Sequence, residues 1–181
     1  MSRIQPALAP YPASVQAALD KLMPKGMEPL VLFRVLARDE RLFSRFMGGA
    51  LLDRGQLTLR ERELVILRVC AKHGSEYEWG VHVSMFAERA GFQPEQTAAT
   101  FTNPADAPCW SPREQLILKL CDALQTTTVT DALWTDLSAE FKPEALLEIL
   151  MLCGFYRTVS ILTNTLHLPL ETFAARFPTQ P

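Results

Sequence analysis

Apolar residues recur along most of this chain at the three- and four-residue spacing that lays them on one face of a helix, and no segment alternates as a strand would. The β-branched residues fall mainly inside those helical periods. The clearest stretch is LTLRERELVILRVCAKHGSEYEWGVHVSMFAERAG, from Leu57 to Gly91. It reads as two helices folded back on each other at Gly74. Thr58 with Glu61 has capping-box spacing, in which side chain and backbone satisfy each other's free donors, and Ser75 with Glu78 repeats it. Gly74 and Gly91 suit the position after a helix end, where a left-handed backbone costs glycine little.

Around this hairpin the pattern predicts further helices. Residues 1–12 contain three prolines and read as an irregular arm, followed by a helix from Ser14 to Met23 and a break at PKGMEP. Leu30 to Arg38 is a short helix. Asp39 caps the next, which is expected to run to Gly55, with Gly48 and Gly49 permitting close backbone approach. Gln93 to Thr102 is a small helix entered through Pro94. Residues 103–112, NPADAPCWSP, form a Pro-rich joint. The helix after it, SPREQLILKLCDAL, has the character of TLRERELVILRVCA: an Arg-Glu pair, apolar positions, then Cys. This is one weak internal duplication and not a periodic array. Thr130 to Phe141 is another helix, and Pro143 opens the most apolar one, with a bend expected near Gly154. The expectation is an all-α fold of about eight helices in a single domain over residues 1–181.

Two polar residues sit on apolar faces of the hairpin. Glu63 shares a face with Ile66, Leu67 and Cys70. His82 follows Glu78 by one helical step, with Trp79 and Phe86 close to the same face. At about 1.5 Å rise per residue, Glu63 lies about 16 Å and His82 about 12 Å from the Gly74 turn. Antiparallel packing therefore brings the two side chains to nearly the same level, with Glu78 beside them. A carboxylate, an imidazole and a second carboxylate lining one space would suit proton transfer, because histidine titrates near neutrality. Each residue also has a structural reading: a helix cap for Glu78, a buried ion pair with Arg62 or Arg68 or a backbone hydrogen bond for Glu63, a packed, hydrogen-bonded ring for His82.

Composition narrows the partners. With 18 basic and 20 acidic residues and a net charge of -2, nothing electrostatic favours nucleic acid or an anionic membrane. The start, MSRIQPALAPYPAS, lacks the apolar core of a signal peptide, and ALLEILMLCGF is interrupted by Glu148 and reads as too short for a bilayer. A cytoplasmic protein is the expectation. Hydrophobic residues make up 48% of the chain, enough to suggest a well-packed or oligomeric protein. Cys70, Cys109, Cys121 and Cys153 form no C-x-x-C pair, and His73, His82 and His167 have no metal-ligand spacing, so no metal or other cofactor is expected.

LFRVLAR, LTLRERELVILRVCAKHGSEYEWGVHV, WSPREQLILKLCDAL and LEILMLCGFYRTVSILTNTL followed by PLE resemble the carboxymuconolactone decarboxylase family, within the alkylhydroperoxidase D-like superfamily. The resemblance runs from about Pro29 to Glu171. It implies a helical fold built on a hairpin, assembled as a dimer, trimer or hexamer, and acting on a small molecule. The peroxidase branch of the superfamily carries a C-x-x-C pair, a His four residues later and a Glu on the preceding helix. The matching positions here are Ser75, Glu78, His82 and Glu63, so both thiols are absent and no thiolate stands ready for a peroxide bond. The decarboxylase branch works by proton transfer at a lactone acid. On that reading Glu63, Glu78 and His82 are the catalytic residues. Trp79 and Arg157 are the substrate-binding candidates, Arg157 by a bidentate contact to a carboxylate. Many relatives have Asn-Tyr-His where this chain has Phe155-Tyr156-Arg157. A peroxidase-like antioxidant protein and a non-catalytic ligand-binding oligomer remain the alternatives.

Overall fold

Helix α4, Leu59–Lys72, is buried along most of its length, with Leu64, Val65, Ile66, Leu67 and Cys70 inaccessible to solvent. A helix apolar on nearly every side needs partners all round. In the computed structural model, which describes residues 2–179, α5 (Glu76–His82), α6 (Pro94–Thr102), α7 (Pro112–Ala123) and α9 (Pro143–Thr165) surround it. Helix α8 (Asp131–Glu140) bridges α7 and α9, while α1 (Ala13–Leu22), α2 (Val31–Leu36) and α3 (Glu40–Gly49) add an outer layer around Val15, Leu19 and Phe43. The described residues thus hold nine α-helices, in keeping with the expected all-α fold of about eight, and a π-helical stretch at Val83–Ala87.

The helix starts follow from local chemistry. Complete capping boxes open α4 at Thr58 and Glu61 and α7 at Ser111 and Glu114, each cap contributing about 1 kcal/mol. Asp39 Oδ1 accepts from the Leu42 amide and opens α3. That helix stops at Gly49, short of the expected Gly55. Leu51 takes a φ of 49°, and Gly55 sits where an added Cβ would come within 2.3 Å of the Glu148 carboxylate. Of the two glycines expected to allow close approach, Gly49 packs against the Phe155 ring and Gly48 has open space.

The internal duplication has a physical expression. Arg60 Nε donates to Glu114 Oε1 at 2.6 Å, and Arg113 Nε donates to Glu61 Oε1 at 2.6 Å. These crossed ion pairs join the equivalent first turns of α4 and α7. In that register Cys121 corresponds to Arg68 and Cys70 to Ala123, so the shared cysteine is not an equivalent position. Arg68, which is buried, forks onto Asp122 at 2.7 and 2.6 Å and donates to the carbonyls of Thr100 and Asn103. It ties α4 to the Pro-rich joint, whose Ala105, Ala107 and Trp110 are themselves buried.

Helix α9 runs uninterrupted through Gly154. At 23 residues it extends well beyond the ALLEILMLCGF run and is long and apolar enough by length and composition to cross a membrane. Its buried stripe of Ile149, Leu152, Tyr156 and Val159 faces the protein interior, and the helix packs against α4.

Candidate acid–base site

The hairpin turns at Gly74, whose φ of 64° is one that L side chains rarely adopt. The Ser75 amide donates to the Cys70 carbonyl at 2.9 Å and closes the turn. The second helix is not one continuous α-helix to Gly91. It changes to π-helical winding at Val83, immediately after His82, a local irregularity often found beside functional side chains. On its outer face Gly80 lies where an added Cβ would come within 2.1 Å of the Ala175 carbonyl oxygen. The C-terminal segment is thus seated directly on the α5 backbone.

On the inner face the expected residues meet. Glu63 Oε2 stands 2.7 Å from His82 Nδ1, and Glu63 Oε1 accepts from Arg62 Nε at 3.3 Å and Nη2 at 3.2 Å. His82 Nε2 lies 3.4 Å from Glu78 Oε1. All three residues of this cluster on α4 and α5 are buried. Both ring nitrogens of His82 face carboxylate oxygens, so only the doubly protonated ring can donate to both. Burial by itself lowers the His82 pKa. The charge and hydrogen bond of Glu63, and then those of Glu78, outweigh it and raise the value to about 9. His82 is therefore an imidazolium at neutral pH.

Glu78 does not complete its cap. Ser75 Oγ accepts from the Glu78 amide at 3.5 Å, but the Glu78 carboxylate does not return to the Ser75 amide, which is already bonded to Cys70. The carboxylate is left free to turn inward. Its Oε1 faces His82, while Oε2 is buried without a hydrogen-bond partner.

Glu78 and His82 border a cavity of about 80 Å³. Its other walls include Leu30, Phe33, Phe46, Met85, Phe86 and Tyr156. Tyr156 meets the His82 ring edge-on, with centroids 5.2 Å apart. Burial, and then the charges of Glu78 and Glu63, push its hydroxyl well above the usual tyrosine range, so it remains a neutral phenol. The aromatic wall was not among the sequence-derived candidates. Its one available signal was the buried stripe of α9, where Tyr156 falls one helical step after Leu152.

The two substrate-binding candidates lie elsewhere. Trp79 donates from Nε1 to Thr100 Oγ1 at 2.9 Å and packs against Phe177 at 5.3 Å, away from the cavity. Arg157 is exposed and borders a separate space of about 180 Å³ with His73, Cys121 and Cys153. Cys70 is buried, and desolvation followed by the charge of Glu78 raises its thiol pKa well above the usual range. The Cys121 and Cys153 sulfurs lie 3.7 Å apart in the core.

The fold and the hairpin site define an all-α protein of alkylhydroperoxidase D-like architecture. The pattern described as "Carboxymuconolactone decarboxylase family" matches residues 40–123, from α3 to the end of α7, and this stretch of the chain is similar to that family. Three solved structures share the fold. An uncharacterized peroxidase-related protein from Silicibacter sp. TM1040 has a TM-score of 0.82 at 16% identity, over 98% of each chain. An uncharacterized peroxidase-related protein from Ralstonia eutropha, described as an alkylhydroperoxidase AhpD core, has a TM-score of 0.80 at 19% identity, over 95% of each chain. The debrominase Bmp8, in its apo form, has a TM-score of 0.72 at 14% identity, over 96% of this chain and 94% of that one. No curated protein matches the chain. At these identities the likeness concerns the fold, and activity has to be read from the site.

Proposed function

We propose that the protein is an enzyme of acid–base chemistry, with Glu63, His82 and Glu78 moving a proton to and from a small molecule held in the cavity. The observation that carries this reading is the unpartnered Oε2 of Glu78 beside a charged His82. A carboxylate with one oxygen held and one open is a natural base. Glu78 Oε2 takes the proton. His82, whose Nε2 faces Oε1 at 3.4 Å, supplies the acid. Glu63 is a positioning residue that accepts from Nδ1 and fixes the ring, while Arg62 holds its other oxygen. Removal and return of a proton at different atoms is an isomerisation. Decarboxylation would need a carboxylate in the cavity, whose lining includes no lysine or arginine among the described residues, so isomerisation is the favoured of the two reactions.

The test is proton exchange. Enolisable ketones and lactones incubated with the enzyme in deuterium oxide should take up deuterium, followed by NMR. Glu78→Gln should slow the exchange by about 10²-fold or more. A wild-type enzyme that catalyses no exchange, yet consumes alkyl hydroperoxide with a dithiol reductant, would move the reading to a peroxidase. The residues at the thiol positions, Ser75 and Glu78, argue against that outcome, as does the raised pKa of the Cys70 thiol.

A further inference from the structure

We infer that the cavity beside Glu78 takes a neutral, mostly apolar molecule carrying one O–H donor, and rejects carboxylates; the inference rests on the acid–base reading of the same site. Three observations support it.

The first is the lining. Apart from Glu78, His82 and the Tyr156 hydroxyl, the walls are hydrocarbon side chains, aromatic rings and the thioethers of Met23, Met47 and Met85. No lysine or arginine is among the described residues that line it. Such walls favour apolar surface, and the unbranched methionines let the cavity adapt to the shape of what enters.

The second is charge. The buried cluster holds two cations, Arg62 and His82, and two carboxylates, Glu63 and Glu78, so it is already neutral. Arg62 is largely engaged already and is not among the residues lining the cavity. Its Nε and Nη2 donate to Glu63, and its Nη1 donates to the carbonyls of Leu52 and Asp53. Arg157, the cation expected to clamp a carboxylate, borders another cavity. A carboxylate ligand would enter an apolar space as an uncompensated charge and lie beside the anionic Glu78. Desolvating a charge without a partner is costly.

The third is the vacant acceptor. Glu78 Oε2 is buried and has no hydrogen-bond partner. A buried acceptor in this state is satisfied by a donor, and the cavity that Glu78 borders is a space from which one can come. A hydroxyl on an otherwise apolar ligand supplies it without adding charge. The same O–H is the proton that the proposed base would take, so phenols and enols fit both the binding and the chemistry.

The experiment compares three probes of similar shape: 4-methylphenol, toluene and 4-methylbenzoate, titrated calorimetrically into the full-length protein at neutral pH. The phenol should bind best. Toluene should bind about tenfold more weakly or worse, because it leaves Glu78 Oε2 unpaired. The benzoate should not compete. In Glu78→Gln the advantage of phenol over toluene should shrink. Ala50 lines the cavity, and Ala50→Phe should block all binding. Because the ranking is measured on the wild type, it stands even if a variant folds poorly. Benzoate binding as tightly as phenol, equal binding of phenol and toluene, or binding of none of the three overturns the inference. Phenol binding with no proton exchange on any substrate would sink the catalytic reading and leave the ligand class intact. Exchange on a carboxylated substrate that binds tightly would do the reverse.

Discussion

Glu78 Oε1 and His82 Nε2 stand 3.4 Å apart while the other oxygen of the same carboxylate has no partner. The contrast with Glu61 gives this meaning. Glu61 occupies the same position in its own capping box. Its Oε2 accepts from the Thr58 amide at 2.8 Å and its Oε1 from Arg113 at 2.6 Å, so both oxygens are satisfied. Two glutamates at matching helix positions therefore differ in one respect: Glu61 is a cap, and Glu78 is a half-released cap turned toward a histidine.

That difference predicts how Glu78→Gln behaves. Glutamine keeps the size and accepts hydrogen bonds, and no cap is lost because the Glu78 side chain makes none. The melting temperature should stay within a few degrees of wild type while proton exchange falls by about 10²-fold or more. Ser75→Ala is the control. It removes the remaining cap and the Ser75–Thr163 hydroxyl contact at 2.8 Å, and should cost about 0.5–2 kcal/mol of stability. Thermal denaturation read beside exchange rates checks both. A Glu78→Gln protein that melts far below wild type and exchanges normally would return Glu78 to a structural role.

His82 makes stability depend on pH. Its pKa is raised to about 9 in the fold, against about 6.5 in an unfolded chain. A raised histidine stabilises fully below its unfolded pKa, and that contribution is lost as pH rises through its folded pKa. Wild-type stability should therefore decline from about pH 6.5 to about pH 9. Cys70 and Cys121, whose thiols are also held protonated, add to the decline near the upper end. The informative quantity is accordingly the difference between wild type and His82→Asn in urea midpoints across this window. A difference that does not change with pH would place the His82 pKa near its ordinary value.

Glu63 should respond differently from Glu78. It is fully buried and holds both His82 and Arg62. Glu63→Gln leaves Arg62 without its charge partner and His82 with Glu78 alone, a loss on the order of 3–5 kcal/mol. Combining it with His82→Asn should restore part of the loss, because one stranded charge goes with it. A double-mutant cycle in urea measures the coupling, and additive losses would mean that the 2.7 Å contact contributes little. NMR of the His82 ring in Glu63→Gln should also find its midpoint lowered.

The meeting of Glu63 and His82 was legible in the sequence because it depends only on helical rise and a glycine turn, two local quantities. The exit of Glu78 from its cap was not. Ser75-x-x-Glu78 has the spacing of a capping box, and the partner that displaces it, the Cys70 carbonyl on the Ser75 amide, belongs to the geometry of the turn. Arg157 borders a different space for another reason. Its neighbour Tyr156 does line the cavity, but which of two adjacent helical residues faces inward depends on how α9 rotates against α4. The π-helical turn at Val83 leaves no mark in the apolar periodicity. The apolar walls contributed by Phe33 and Phe46 depend on the outer layer closing over the hairpin, a long-range arrangement that no local spacing encodes.

The outer face of α9 carries the last prediction. Leu147, Met151 and Ile161 are 61%, 59% and 57% exposed. With Gly154 and Thr158, both also exposed, they recur at alternating steps of four and three residues. This is the spacing that forms a continuous seam between two packed helices, and Gly154 at its centre lets backbones approach. The occupant best matched to such a stripe is the same stripe on a second copy, since it is apolar along its length and self-complementary about a two-fold axis. Light scattering should therefore find an oligomer of the 20.3 kDa chain at micromolar concentration. Met151→Glu would place two like charges across the seam and should shift the population to monomer. The hairpin site is built within one chain, so proton exchange per protomer should survive that shift. A wild-type protein that remains monomeric through a dilution series up to about 100 μM, a range in which micromolar affinities saturate, would rule the seam out.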